Sequence, residues 1–456
     1  MPRRILAALL LTGTGLAAQA ANLDVTASYR MRALSYSNLS LDPNDRNNHS
    51  FISNDARLGM AVRRIHLETR GGEDVSLDVG LLLHALGVAG STVSLQAPFD
   101  RAAGIYPSAD LTPFVENAYL RVNQLFGFPL EATFGRQSYK LASGLLLDDD
   151  GSGLTGIRLR GELPWWEMKL EAFLFNDRNP FHGAPNSLDL FGLSLDLPSD
   201  GTWTLSQLFE RDRASQPVFG CAVPGLSPPV GCTVSKALRS FTSLRYQINY
   251  GPMVFEGEAA LQRGAATPTG ILPAPNHITY QGNAQVLRAK WKQALYKTGE
   301  GIARISLARG SGDKPDTLTT DEAFFPTRGH RFQGLERSGF GDFFGATPYE
   351  AFGGNYSTAT ASGLKSGASG IMVVGAGYTP PSYKGIALDI DYFLFQAERI
   401  QSGPRTLGWE WDFRLRYNVL DQLTLSASAA FFTAGKASNP GRGQSKKLSF
   451  EASGRF

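Results

Sequence analysis

Apolar and polar residues alternate along most of the chain, in segments of about ten residues. The alternation is clearest over residues 407–418. Its apolar set is Leu407, Trp409, Trp411, Phe413, Leu415 and Tyr417, and its opposite set is Gly408, Glu410, Asp412, Arg414, Arg416 and Asn418. A period of two residues is that of a β-strand whose two faces meet different surroundings. We count eighteen such segments after residue 20 and expect a strand at each.

The connections between these segments alternate between short and long, with few exceptions. Short ones cover residues 71–74, 163–165, 198–201, 251–252 and 419–422, and long ones cover residues 34–54, 86–114, 213–239 and 310–370. A soluble β-sandwich has no reason to place every long loop at one end, whereas an outer-membrane barrel has short periplasmic turns and long extracellular loops. The sequence therefore predicts an all-β fold, a transmembrane antiparallel β-barrel of about 18 strands that satisfies its backbone polar groups within lipid.

Two segments depart from regular alternation. Residues 57–69 slip in phase near Arg63 and Arg64, and residues 130–137 put Arg136 in register with Phe134. A β-bulge would explain either departure. The connections at 86–114 and 310–370 are longer than ordinary loops, so we expect them to fold into the lumen or to cover its mouth.

The start of the chain has the features of a secretory signal peptide. Arg3 and Arg4 precede an apolar stretch over residues 5–17, which is followed by Ala18-Gln19-Ala20. Such a stretch is too short to span a bilayer as a helix and ends in a small-residue cleavage motif. We therefore expect a signal peptide at 1–20 and a single barrel domain at 21–456.

The last residue is aromatic and closes the final alternating segment. Leu448, Phe450 and Phe456 share one side of that segment. A C-terminal aromatic of this kind is typical of bacterial outer-membrane barrels, where the barrel-assembly machinery recognises it. We therefore expect a monomer in the outer membrane of a Gram-negative bacterium, surrounded by lipid and lipopolysaccharide.

Charged residues recur on the polar side of the segments, which a barrel would turn toward its lumen. The basic ones are Arg30, Arg32, Arg63, Arg121, Arg158, Arg160, Arg245, Arg288, Lys290, Arg304, Arg414 and Arg416. The acidic ones are Asp78, Glu167, Glu171, Glu256, Glu258, Asp389, Asp391, Glu410 and Asp412. Because the planar fork of arginine matches a carboxylate, a ring of arginines favours anions. The alternative interpretation is a structural one, in which arginines and carboxylates satisfy one another across neighbouring strands.

The remaining composition excludes several classes of function. Lys+Arg 44 against Asp+Glu 41 gives no reason to expect a nucleic-acid partner. Cys221 and Cys232 lie close together in a stretch rich in proline and glycine, which in an exported protein predicts a local disulfide. The six histidines form no metal-binding pattern, and no nucleophile motif is present, so we expect no enzyme, metal or cofactor.

The acidic run Asp148-Asp149-Asp150 falls in a predicted external loop. Its spacing matches no calcium-binding loop, so a solvated acidic loop is the favoured interpretation and a Ca²⁺ site the alternative.

Several motifs resemble those of the alginate-export family of outer-membrane porins. They are G-R-Q at 135–137, G-I-R-L at 156–159, G-S-G-D at 310–313 and L-G-W-E-W-D-F at 407–413, in the order found in the family. The resemblance implies an eighteen-stranded barrel that passes an anionic polysaccharide through an arginine-lined constriction, with loops acting as plugs. It carries the lumen arginine of G-R-Q over to Arg136. The loop after G-S-G-D departs from the family, since it is long and rich in glycine and serine, with Lys365 its only charge after Glu350.

Together these observations predict a channel for the passive passage of an anionic polysaccharide or oligosaccharide. The predicted substrate path comprises Arg30, Arg121, Arg136, Arg158, Arg160, Arg304, Glu410, Asp412, Arg414 and Arg416. We expect the narrowest part of this path to lie where Arg414 and Arg416 approach Arg158 and Arg160.

Two other functions stay open at this point. The first alternative is a general or substrate-selective porin for small anionic solutes. An alternative of another class is a barrel for adhesion or scaffolding, because Phe324, Phe325, Phe340, Phe343 and Phe344 fall in a predicted external loop.

Overall fold

A computed structural model gives the architecture of most of the chain. It describes residues 21–39, 48–70, 73–89, 106, 110–163, 167–178, 187–212, 221–222, 231–269, 277–295, 299–314, 317, 319–348, 368–400, 402–437 and 443–456. The predicted signal peptide at 1–20 therefore lies outside the described residues.

Eighteen long strands, numbered β1 to β18 in chain order, build one sheet. They are Asn22–Ser37, His49–Arg70, Glu73–Ala89, Phe114–Asn123, Leu130–Gln137, Leu154–Leu163, Met168–Arg178, Ser187–Pro198, Thr202–Asp212, Gly231–Tyr250, Met253–Thr269, Asn283–Leu295, Gly299–Gly310, Ala368–Thr379, Ile386–Ile400, Thr406–Leu420, Leu423–Ala434 and Gln444–Arg455. Each strand pairs antiparallel with the next, and β18 pairs antiparallel with β1. The sheet is thus a closed barrel, and the predicted fold class and strand number are confirmed.

The C-terminal residue takes part in this closure. The backbone N–H of Phe456 donates to the carbonyl of Ala27 at 2.8 Å, and the N–H of Ala27 donates to the carbonyl of Phe456 at 2.9 Å. The Phe456 side chain points away from the barrel and is 81% exposed. The backbone of the last residue therefore completes the ladder while its ring stays accessible.

Alternation along the strands separates an apolar outer wall from a polar inner wall. On β16 the outward residues Trp409, Trp411 and Phe413 are between 38% and 45% exposed, whereas Glu410 between them is buried. This is the arrangement of a barrel with lipid outside and a polar interior. Among the described residues, no helix is long and apolar enough to cross a membrane.

The two irregular segments have different causes. The β2–β3 register shifts between Val62 and Ile65, and Arg64 between them has a positive φ of 58°. The predicted bulge is therefore present in β2. The pairing of β5 is unbroken on both sides, so the second predicted bulge is wrong; Gly135, between Phe134 and Arg136, has a positive φ of 115°.

Short elements decorate the barrel. They are the 3₁₀ turn Leu125–Gly127, the strands Lys140–Leu141, Leu147–Asp148, Cys221–Ala222, Ile278–Tyr280 and Thr320–Asp321, and the hairpin of Phe332–Gln333 with Glu336–Arg337. Cys221 lies opposite Cys232 in the backbone ladder. The side chains of both cysteines lie outside the described part of the structure, so the disulfide stays a prediction.

Two connections fold inward and fill much of the barrel. The short inner loop, residues 138–153, joins β5 to β6, and the long inner loop, residues 311–348, follows β13. Their aromatic residues pack against inward-facing residues of the wall and form a hydrophobic core inside the lumen. Its largest fully buried side chains include Phe175, Phe241, Phe324, Phe343, Phe344, Phe395 and Phe432. The described aromatic residues of the long connection are therefore buried inside the barrel and do not form an external surface.

Candidate functional site

The long inner loop is anchored to β16 by its backbone. The N–H groups of Phe343 and Phe344 donate to the Glu410 carboxylate at 2.6 and 3.0 Å. The N–H of Asp342 donates to Asp412 at 2.8 Å. Three consecutive backbone donors therefore meet two wall carboxylates, an arrangement in which successive N–H groups form an anion-binding concavity.

The side chain of Asp342 strengthens the same contact from the loop side. It accepts a hydrogen bond from Ser428 on β17 at 2.8 Å and forms an ion pair with Lys447 on β18 at 3.0 Å. Burial disfavours the charged form of Asp342, but Lys447 and Arg414 outweigh this effect and hold its pKa well below the usual range. Asp342 is therefore ionised in the docked loop.

Aromatic rings complete this docking surface. The Phe344 ring lies 4.6 Å from the Phe395 ring and 4.8 Å from the Phe432 ring, measured between centroids. Phe343 stacks on Phe432 at 5.6 Å. Both loop phenylalanines are buried. Ring pairs in this distance range are favourable beyond the area that they bury.

The other end of the long inner loop is held by strands β9 and β10. Glu210 accepts the N–H of Thr327 at 2.9 Å and pairs with Arg239 at 2.6 Å. The Arg239 guanidinium also donates to the carbonyl of Phe325 at 2.8 Å. The loop therefore crosses the lumen, from β9 and β10 to β16, β17 and β18.

The two inner loops also contact each other. The N–H of Asp148 donates to the carbonyl of Arg328 at 2.6 Å. His330 Nδ1 lies 2.7 Å from Asp150 and 3.3 Å from Asp148. Burial disfavours a charged imidazole, but hydrogen bonds to Asp148 and Asp150 outweigh burial and raise the pKa of His330 to about 9. A protonated His330 therefore holds the two loops together at neutral pH.

The prediction of a solvated acidic loop at Asp148–Asp150 is wrong. Asp148 and Asp149 are both buried, and Asp149 accepts the N–H groups of Tyr139 and Gly153. Burial raises the pKa of Asp149 to about 7. The run lies inside the barrel because the short inner loop turns inward and the long inner loop covers it.

One ligand atom each from Asp148, Asp150 and His330 lies within 4.8 Å of the others, as in a metal site. Lys140 and His330 already pair with Asp148, at 3.1 and 3.3 Å. The described contacts therefore balance the carboxylates without a metal ion.

A cavity of about 290 Å³ lies below the short inner loop. Its lining is Lys140, Leu141, Ala142, Arg158, Arg160, Lys169, Glu171, Ser194, Asp196, Thr202, Thr204, Arg245 and Gln247. Five of these residues are basic and two are acidic. The strand residues among them lie near the strand ends at Leu163, Pro198 and Tyr250, the end of the barrel with the short connections, which is the periplasmic end in an outer-membrane barrel.

The basic residues of this cavity differ in their partners. Arg158 pairs with Glu171 at 2.6 Å, and Arg245 pairs with Glu256 at 2.9 Å. Arg160 is exposed to the lumen and forms no ion pair with another described residue. Arg160 therefore has its hydrogen-bond donors available to a solute.

The other predicted path residues belong to different clusters. Arg30 pairs with Asp55, Arg121 with Glu131 and Arg304 with Asp391. The first two pairs join neighbouring strands, as the structural interpretation of the lumen arginines expects, and the third reaches across β14 at Gly377. The Arg136 guanidinium donates to the carbonyl of Ser152 and so helps to hold the short inner loop.

The predicted constriction is not assembled as expected. Arg158 and Arg160 line the cavity, but Arg414 and Arg416 do not. Arg414 lies 3.6 Å from Asp342 of the long inner loop, and Arg416 pairs with Asp389 at 2.8 Å. The two pairs stand on strands β6 and β16, which are not neighbours in the barrel, and Arg414 is engaged by the long inner loop, so they do not form one constriction.

One further predicted lumen residue lies outside its strand. Glu167 was expected within a strand, whereas β7 begins at Met168. Glu167 has a positive φ of 51° and is exposed in the turn before β7.

Sequence reasoning missed the charged residues that fasten the loops. Glu210 and Arg239 form a buried pair between two wall strands and both bond the loop, and Asp177 and Arg328 form a buried pair between wall and loop. The only signal was the unusual density of charge in residues 327–337 of a connection already expected to fold inward.

Comparison with solved structures places the fold among outer-membrane porins. The chain is similar to OccAB1 of Acinetobacter baumannii, with a TM-score of 0.57 at 10% identity over 95% of this chain and 96% of that one. It is also similar to OccK9 (OpdG) of Pseudomonas aeruginosa, with a TM-score of 0.55 at 12% identity over 95% and 99%. A structure of OpdK from the same organism with vanillate gives a TM-score of 0.51 at 11% identity over 95% and 98%.

Sequence comparisons add no family. No protein-family profile matches the chain, and no curated protein sequence matches it. The structural likeness therefore establishes the fold, an eighteen-stranded barrel like those of the outer-membrane porins that it resembles.

Proposed function

We propose that this protein is a channel for small anionic solutes. The observation that carries the proposal is the cavity below the short inner loop, with its five basic and two acidic residues. Lumen walls lined by an excess of one charge attract ions of the opposite sign. The proposal corresponds to the first alternative that the sequence left open.

The size of the cavity supports a small solute. Its volume of about 290 Å³ lies at the lower end of pockets that hold drug-sized ligands, roughly 300–1,000 Å³. A solute of a few carbon atoms with one or two carboxylates fits such a space. The polar side chains Ser194, Thr202, Thr204 and Gln247 offer further hydrogen bonds to it.

Arg160 is the proposed anchor of the solute. Because Arg158 and Arg245 are engaged by Glu171 and Glu256, their guanidinium groups are partly neutralised. Arg160 presents an uncompensated planar fork that matches a carboxylate in two-point contact. Among the neighbours of similar fold, OpdK has been solved with vanillate, an aromatic carboxylate, and this agrees with the proposed class of solute.

The polysaccharide interpretation receives less support. A polymer needs a continuous path, whereas the long inner loop crosses the lumen from β9 and β10 to β16, β17 and β18. None of the comparisons supports alginate export, which remains only what the resemblance implied. Adhesion loses its basis too, because Phe324, Phe343 and Phe344 are buried inside the barrel.

Uptake into liposomes tests the proposal directly. Proteoliposomes are given a series of small monocarboxylates and dicarboxylates, neutral solutes of matched size, and uronate oligomers of increasing length. We expect the small carboxylates to enter faster than the matched neutral solutes and the longer oligomers to be excluded. Equal entry of neutral and anionic solutes would contradict the proposed selectivity, and rapid entry of long oligomers would restore the polysaccharide channel.

A further inference from the structure

The lumen also contains a device that would control its opening. We propose that the turn formed by Asp342, Phe343 and Phe344 is a latch, which docks on Glu410 and Asp412 and keeps the long inner loop in the lumen. Release of this latch would free the loop from β16 and widen the passage. The inference concerns the opening of the barrel and is independent of which solute passes.

The contacts of the latch are unusually dense for a loop and its wall. Glu410 receives two backbone N–H groups at 2.6 and 3.0 Å, and Asp412 receives a third at 2.8 Å. A buried backbone N–H left without an acceptor is costly, and Glu410 is completely buried. These two carboxylates are therefore committed to the loop and do not face a solute.

The loop side of the latch is adapted to the wall carboxylate. Gly341 has a φ of +80°, and a Cβ placed on it would lie 2.6 Å from Glu410 Oε2 and 3.0 Å from the Phe395 ring. A side chain at position 341 would therefore push the turn off the wall. Glycine permits the close approach that lets the next three N–H groups reach the carboxylates.

The latch also has a basis for reversibility. Its wall partners are polar and charged groups and the rings of Phe395 and Phe432, and all of them contact one short turn. Lys447 holds both the carbonyl and the carboxylate of Asp342, at 2.8 and 3.0 Å. Because these bonds share one turn, loss of any one of them weakens the others, as in other cooperative networks. The turn should therefore dock or leave as a unit.

Glu410→Gln and Asp412→Ala test the latch from the wall side. Glu410→Gln turns one of two accepting oxygens into a donor that faces a loop N–H, and Asp412→Ala removes the acceptor of the Asp342 N–H. Gly341→Ala tests it from the loop side without altering the wall. Asp24→Asn is the control, because Asp24 lies on β1 and pairs with Arg63 away from the latch. Heat-modifiable migration on gels shows whether each barrel has folded.

Two readouts are combined. Hydrogen exchange follows the amides of residues 342–344, and single-channel recording in planar bilayers follows conductance. We expect about tenfold or faster exchange at these amides in the three latch variants, as follows from the loss of one buried hydrogen bond. We expect larger or more frequent open events in the same variants and neither change in Asp24→Asn.

The combined results support or overturn the proposed latch. Faster exchange together with larger conductance supports the latch. Unchanged exchange in folded variants overturns it, and so does faster exchange with unchanged conductance, since the turn would then not limit the passage. If neither the wild-type protein nor any variant conducts, the proposed channel function fails, and the latch as a docking contact is judged by exchange alone.

Discussion

At the scale of single residues, the lumen arginines differ in what they pair with. Arg158 and Arg160 stand two positions apart on β6 and line the same cavity, yet only Arg158 forms an ion pair, with Glu171. Removal of one partner of a shielded pair leaves the other charge uncompensated, whereas removal of an unpaired charge does not. The two arginines therefore have separable roles, one structural and one for solute binding.

The replacement Arg160→Gln is expected to weaken the block of ion current by a small carboxylate about tenfold, since one charge-assisted hydrogen bond is lost. The free energy of unfolding should stay within about 0.5 kcal/mol of the wild-type value, as for other substitutions away from buried pairs. Arg158→Gln serves as the matched comparison and should destabilise the barrel in urea titrations. Equal effects of the two variants on carboxylate block would contradict the assignment of the anchor to Arg160.

His330 gives the junction of the inner loops a dependence on pH. Its pKa is raised from 6.5 to about 9, so its contribution is fully present below pH 6.5 and is lost as pH rises through 9. We expect the amides of Arg331 and Phe332, which donate to Asp150, to exchange faster above pH 9 after correction for intrinsic exchange. In His330→Asn this extra alkaline increase should be absent. An identical pH profile in both proteins would exclude His330 as the titrating group.

At the scale of elements, the strands follow from the sequence more closely than the loops do. Alternation over residues 407–418 predicts both the existence of β16 and its outward face, because the period of a strand depends only on local chain geometry. The fate of Glu410 was not predictable in the same way. Its facing follows from alternation, but its partners come from a turn about seventy residues earlier.

The partners of the short inner loop were likewise not predictable from the sequence. The sequence predicts a solvated loop at Asp148–Asp150, because three successive acidic residues are normally exposed to solvent. Their burial depends on N–H donors and on His330, which a linear sequence does not place beside them. For Arg136, the irregular alternation in the sequence did indicate an unusual environment. Its guanidinium donates to the carbonyl of Ser152 in the loop, and Gly135 before it has a positive φ of 115°.

Gly153 is predicted to control the position of the short inner loop. It has a φ of +74°, and a Cβ at this position would lie 2.0 Å from the carbonyl oxygen of Glu116. Gly153→Ala should therefore displace the loop from the wall, because neither the backbone conformation nor the space tolerates a side chain. We expect a lower thermal midpoint and noisier open-channel current. Gly251→Ala is a useful comparison, since an added Cβ there meets no atom within 4 Å. Equal behaviour of the two variants would contradict the close packing at Gly153.

At the scale of the whole molecule, we expect the backbone and the ring of the C-terminal residue to have separate roles, one in closing the barrel and one in recognition by the barrel-assembly machinery. The backbone of Phe456 bonds to Ala27 across the seam between β18 and β1, whereas its ring is 81% exposed. We predict that Phe456→Ala lowers insertion into the outer membrane of cells while leaving refolding in detergent unchanged. Immunoblots of membrane fractions and heat-modifiable migration would measure the two effects. A parallel loss in detergent would show that the ring stabilises the barrel itself.

The whole barrel combines a rigid wall with a lumen narrowed by two fastened loops. The wall supplies arginines at regular positions, and the loops determine which of them reach open space. This explains why the charge pattern alone predicts an arginine-lined lumen but wrongly joins Arg158 and Arg160 with Arg414 and Arg416 in one constriction. Selectivity in this account comes from the unpaired basic groups of the periplasmic cavity, and passage comes from the state of the inner loops.

The most direct test of this account is the reversal potential of the channel under a KCl gradient, measured for the wild-type protein and for Arg160→Glu. The account predicts anion preference in the wild-type protein and a clear shift toward cations in the variant, because the exchange changes the charge of the cavity by two. A wild-type channel that prefers cations, or a reversal potential that Arg160→Glu leaves unchanged, would contradict the proposal that this cavity selects small anions.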